Sequence, residues 1–130
     1  MQTFQGIEII KIPIVNPEDT RGPVYEWCKG QSGMQVSIFK RKLGITFGNH
    51  YHLGADPSKN PEKFFLIKGK MKLKAKNLTS NEIFETIIEE GTELLIYPKI
   101  WHSFESLADV IFIEYRSTVF DKNNPDVYTE

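Results

Sequence analysis

Apolar and polar residues alternate with period two along most of the chain, while apolar spacing at the helical period is hard to find. Between residues 70 and 77, Met71, Leu73 and Ala75 alternate with Lys70, Lys72, Lys74 and Lys76. Successive side chains of a strand point to opposite faces, so this segment presents one face to a core and one to water. The same reading predicts strands over residues 7–14, 24–29, 34–42, 45–53 and 63–68, and again over 83–89, 93–97, 102–106 and 110–116. Turn-forming residues separate them, notably at 29–33, 54–61, 68–70, 77–81, Glu90-Gly91 and Ala108-Asp109. About nine or ten short strands at such spacing predict an all-β jelly roll or barrel.

Length and composition narrow the picture. With 130 residues, 40% of them apolar and nine of them Phe, the chain has material for one domain over residues 1–130. Its barrel core is expected over about residues 21–116, followed by a polar extension at 117–130 that is either docked or loose. A formal net charge of −1 leaves no electrostatic footprint for nucleic acid or an acidic membrane surface. Cys28 is the only cysteine, which excludes an internal disulfide and any cysteine-based zinc cluster within one chain. The apolar run at residues 6–15 is interrupted by Glu8, Lys11 and Pro13, too short to span a bilayer and unlike a secretory signal. A cytoplasmic protein is the expectation.

The chemistry-bearing pattern is His50-Tyr51-His52. Two residues apart on a strand, both imidazoles face one side and can reach a single ion, given further ligands from elsewhere. His102 and Glu62 are the candidates for those. The spacing resembles the two cupin motifs: Gly44, His50, His52, Glu62 and Gly69 keep the separations of the first, and Gly91, the segment 97–101 and His102 follow the second. Nine residues between His52 and Glu62, Lys99 in place of the turn glycine and Tyr97 in place of a proline depart from it. Residues 53–61, with Gly54, Pro57 and Pro61, read as a surface loop that can lengthen without disturbing the strands it joins.

Asp19-Thr20-Arg21-Gly22 and Glu26 resemble the early motif of nucleotide-sugar epimerase and ketoisomerase cupins. His50-Tyr51-His52, Glu62-Lys63-Phe64 and the tail 120–128 are similar to the cupin domain of capsular-polysaccharide enzymes. The resemblance implies a cupin-type double-stranded β-helix that holds a divalent metal, zinc foremost, with iron, nickel or manganese as alternatives. It implies proton abstraction beside the keto group of a nucleotide-activated sugar in polysaccharide biosynthesis. A metal-bound histidine has no lone pair to spare, so the base must then be another inward residue, with Tyr115, Glu114 and Lys99 as the candidates; in a metal-free site His50 or His52 would itself be the base, with a tyrosine as acid. Arg21 suits a sugar phosphate, Glu26 follows the family motif, and Phe104, two residues beyond His102, shapes the pocket. A metal-dependent dioxygenase and a non-enzymatic sugar-binding module are the alternatives. Partners are expected to be a small-molecule nucleotide sugar and a second copy of the chain, paired through the edge of the amino-terminal strand; nucleic acid and membrane are not expected.

Overall fold

A computed structural model describes residues 4–20, 24–28, 33 and 35–129. Among the described residues, nine strands form two antiparallel sheets: β1 (Ile7–Lys11), β2 (Gln35–Arg41), β3 (Thr46–His50), β4 (Glu62–Lys68), β5 (Lys70–Asn77), β6 (Ile83–Glu89), β7 (Thr92–Ile96), β8 (Ile100–Ser106) and β9 (Val110–Arg116). One sheet runs β1-β7-β4-β9-β2 and the other β3-β8-β5-β6. There is no α-helix among the described residues, and none that could cross a membrane. The all-β barrel read from the alternation is the observed fold.

Strand β5 keeps the predicted bounds, with Met71, Leu73 and Ala75 buried. They join Ile7, Leu66, Ile88, Leu94 and Ile96 in a core between the sheets. Phe64, Phe104 and Phe112 belong to this core and also to the wall of a cavity of about 380 Å³ that opens between the sheets. Core and cavity therefore share a rigid partition of packed rings: Phe47 stacks on Phe104 at 5.3 Å and on Phe112 at 5.5 Å.

Two expectations are corrected, and one left open is decided. Residues 24–28 are not a strand; Cys28 has a left-handed φ of 57°, which a regular strand does not accommodate. Instead the segment covers the outer face of the five-stranded sheet, where Tyr25 and Trp27 pack on Phe65 with ring centroids 5.5 and 5.4 Å apart. Residues 53–61 are not a free surface loop. They contain a short 3-10 turn, Pro57–Lys59, whose first amide is capped by Asp56, and Ser58 and Lys59 are buried. The polar extension is docked: Tyr51 and Tyr128 exchange backbone hydrogen bonds of 2.9 and 3.0 Å, and their rings stack at 5.6 Å.

Candidate functional site

The site is built where β3 meets β8. His50 and His102 are cross-strand partners, and a bulge lies between Gly48 and His50. Gly48 (φ 88°) and Asn49 (φ 57°) take the positive dihedrals that such a bulge uses. A Cβ at Gly48 would also stand 3.2 Å from the His102 carbonyl oxygen, so the close approach of the two strands favours glycine. Just past the end of β3, His52 turns into the same hollow. The three rings lie 4.8, 4.8 and 5.4 Å apart by centroid, and their ligating nitrogens are within 4.8 Å of one another.

Glu62, the first residue of β4, completes the group. Its Oε1 is 3.2 Å from His52 Nε2 and 3.4 Å from His102 Nε2. Its Oε2 accepts a 2.8 Å hydrogen bond from Lys59 Nζ, which donates a second one of 3.0 Å to Glu114 Oε2. All these side chains except the half-buried His50 are almost inaccessible to solvent. Burial raises the Glu62 carboxyl, but His52 and Lys59 outweigh it and hold the group well below the usual carboxylate range. Burial first, and then the charge of Glu62, push Glu114 up to about 7. Lys59 is depressed by burial and raised further by the two carboxylates, so it stays charged.

Both buried imidazoles are oriented through their Nδ1 atoms. His52 Nδ1 donates to the Asp126 carbonyl at 2.7 Å and His102 Nδ1 to the Ile100 carbonyl at 3.0 Å. A neutral ring that gives its proton to a carbonyl keeps the lone pair on Nε2, and both Nε2 atoms face the same Glu62 oxygen. Burial lowers the His52 imidazole, but its hydrogen bond to Glu62 and the charge of that carboxylate outweigh this and raise it above the ordinary imidazole value, so either a proton on Nε2 or a cation between the groups satisfies Glu62 Oε1. Tetrahedral ligands about 2.1 Å from an ion stand about 3.4 Å from one another, close to the separations between Glu62 Oε1 and the two rings. The donor set of His50, His52, His102 and Glu62 thus fits a divalent metal, with the two carbonyls as outer partners.

The other candidates separate cleanly. Glu114 and Phe104 line the cavity. Tyr115, the neighbour of Glu114 on β9, points to the opposite face and meets Trp27 edge-on at 6.0 Å. Lys99 is an exposed turn residue with φ 65° and lies outside the cavity; both fall out as bases for this site. Glu26 is exposed and does not line the cavity. Arg21 lies outside the described residues.

Three contributors carry little or no local signal in the sequence. Lys59 enters because the turn at 57–59 folds inward, and its spacing of three from Glu62 is the only hint. Arg116 is buried, with Nη2 on Asp56 at 2.6 Å and Nε donating to the Thr118 carbonyl at 3.0 Å. Asp126 accepts from the amides of Leu53, Gly54 and Asp56 at 3.0, 2.9 and 3.1 Å. It thereby ties the carboxy-terminal extension to the loop behind His52, while Phe120 and Val127 of that extension line the cavity.

Comparison with known proteins agrees with this architecture. The fold is shared with dTDP-4-dehydrorhamnose 3,5-epimerase from Sulfolobus tokodaii (TM-score 0.76, 22% identity, covering 98% of this chain and 78% of that one). It is shared equally with the sugar 3,4-ketoisomerase QdtA from Thermoanaerobacterium thermosaccharolyticum, solved with TDP (TM-score 0.76, 15% identity, 98% and 90%). Sequence similarity is greater to capsular polysaccharide assembling protein CapF from Staphylococcus aureus (32% identity, TM-score 0.63, 85% of this chain and 30% of that one). It is comparable to UDP-2-acetamido-2,6-β-L-arabino-hexul-4-ose reductase from Pseudomonas aeruginosa, 31% identical over 114 residues, or 85% of this chain. The chain spans only 29% of that reductase. The family described as polysaccharide biosynthesis C-terminal domain matches residues 17–128, nearly the whole chain, and to that family the protein belongs.

Proposed function

We propose that the protein catalyses proton transfer at the carbon beside the keto group of a nucleotide-activated sugar, leading to epimerisation or to migration of the carbonyl. One observation carries the reading: a buried carboxylate, Glu114, and a set of three histidines with Glu62 share one phenylalanine-walled cavity of sugar-accommodating size. The similarity to a protein named for a UDP-activated 2-acetamido-hexul-4-ose, and to folds of sugar epimerases and ketoisomerases, supports it.

A divalent ion on His50, His52, His102 and Glu62, when bound, would supply Lewis acidity toward the substrate carbonyl. The remaining work falls to the chain. Glu114 takes the proton from the adjacent carbon, and the C–H electron pair moves into the new C–C double bond while the carbonyl π pair goes to oxygen. Return of a solvent-derived proton to the opposite face, as the enolate oxygen pair re-forms the carbonyl, gives the epimer. Delivery to the former carbonyl carbon, with transfer of the neighbouring hydroxyl proton to the former carbonyl oxygen, moves the keto group instead. Lys59 holds Glu114 in place and offers a donor beside the developing negative charge. The phenylalanine wall keeps water from competing for the proton.

The test is exchange in deuterated water with a panel of UDP- and TDP-activated 4-keto sugars, including a 2-acetamido one. The native protein should wash deuterium into the position beside the carbonyl, and Glu114→Gln should slow this by about 10²- to 10⁴-fold. Absence of exchange by the native protein across the panel would remove the reading. A homodimer belongs to the same proposal: β1 and β2 are the two edges of the five-stranded sheet, and β2 exposes Val36 and Ile38. Elution at the monomer mass in gel filtration would contradict it.

A further inference from the structure

The cavity holds three cationic side chains in very different situations. Lys59 lies between Glu62 and Glu114, and Arg116 is paired with Asp56. Arg41, the last residue of β2, is half-buried at the other end of the cavity wall and has no carboxylate partner among the described residues. Its guanidinium carbon lies 5.4 Å from the Phe39 ring and 5.3 Å from the Phe47 ring. Its Nη1 donates to the carbonyl of Lys40 at 3.0 Å. Nη1 is engaged by that carbonyl, which leaves Nε and Nη2 to donate beside the two rings. Asp109, the acidic residue nearest in register, is engaged by the Leu43 amide at 3.0 Å.

Aromatic rings pave the route from the histidines to this arginine. His102 to Phe104 is 5.9 Å, Phe104 to Phe47 is 5.3 Å, and Phe47 to the Arg41 guanidinium is 5.3 Å. The apolar C–H face of a pyranose stacks well on such rings. A ring laid over Phe104 and Phe47 with its keto edge toward the histidines directs its anomeric substituent toward Arg41. Lys42 follows Arg41 just past the end of β2 with further positive charge.

Resting on the nucleotide-sugar reading above, we infer that Arg41 is the residue that binds the diphosphate and so sets which way the sugar enters the cavity. A planar guanidinium suits this task because two of its donors match two phosphate oxygens. The inference is tested by calorimetric titration of UDP and TDP into the native protein, Arg41→Gln and Arg41→Lys, with melting temperature as the check on folding. Arg41 is half-exposed at a strand end, and Arg41→Lys guards against a merely structural effect. The expected result is that Arg41→Gln binds either nucleotide about 10- to 100-fold more weakly, that Arg41→Lys recovers part of the loss, and that added salt weakens the native protein more than the Gln variant. Equal binding by the native protein and Arg41→Gln overturns the role of Arg41 and leaves the nucleotide-sugar reading standing. Failure of both nucleotides to bind the native protein overturns that reading and this inference together.

Discussion

Replacing Asp126 with alanine removes a carboxylate shared by three backbone amides, those of Leu53, Gly54 and Asp56. The residue is 7% exposed, so water reaches the vacated donors poorly. A hydrogen bond to a charged group is worth about 1.5–3 kcal/mol, and because partial rehydration and relaxation reduce the sum over three, a net loss of about 2–4 kcal/mol is expected. For a domain of this length that corresponds to a drop of roughly 8–15 °C in melting temperature. Asp126→Asn keeps one acceptor oxygen and tolerates the left-handed φ of 51°, so it should fall between alanine and the native protein. A second readout separates loop anchoring from general stability. His52 Nδ1 donates to the Asp126 carbonyl, so the ¹⁵N shifts of the His52 ring should move toward a mixture of tautomers in the alanine variant while those of His102 stay put. A melting temperature within about 2 °C of native would refute the reasoning, since it would mean that the extension does not hold this loop.

Acid titration should expose the Asp56–Arg116 pair. Burial raises the Asp56 carboxyl, but hydrogen bonds from Arg116, the Ser58 amide and the Thr118 hydroxyl outweigh it and hold the group below its ordinary value. A depressed folded-state value means that the pair stabilises the protein above the unfolded carboxylate range and loses that contribution as pH falls through the folded value. Urea midpoints of the native protein and Asp56→Asn should therefore differ most near neutrality and converge below roughly pH 4; a constant gap would contradict the assignment. Metal content offers a further test. Elemental analysis of untagged protein should find one divalent ion per chain, and Glu62→Gln should lower its affinity at least about tenfold in chelator competition. Iron accompanied by oxygen uptake would favour dioxygenase chemistry on the same four donors.

Strand identity and facing were legible in the chain because they depend on a local period of two. Met71, Leu73 and Ala75 face inward for that reason, and so does His50 beyond its bulge at Gly48-Asn49; His52 lies past the end of β3 and is held in the same hollow by its hydrogen bond to the Asp126 carbonyl. Alternation also dictates that Glu114 and Tyr115 point to opposite faces of β9, but not which one points in; the pairing of β9 with β2 and β4 decided that. The loop 53–61 and the extension 117–129 have no period to read. Their places are set by hydrogen bonds between residues more than 50 positions apart, such as Lys59 with Glu114, Arg116 with Asp56, and Asp126 with His52. Only closure of the barrel brings those partners within reach, so the sequence determined the scaffold and the histidine pair, and the tertiary structure decided what surrounds them.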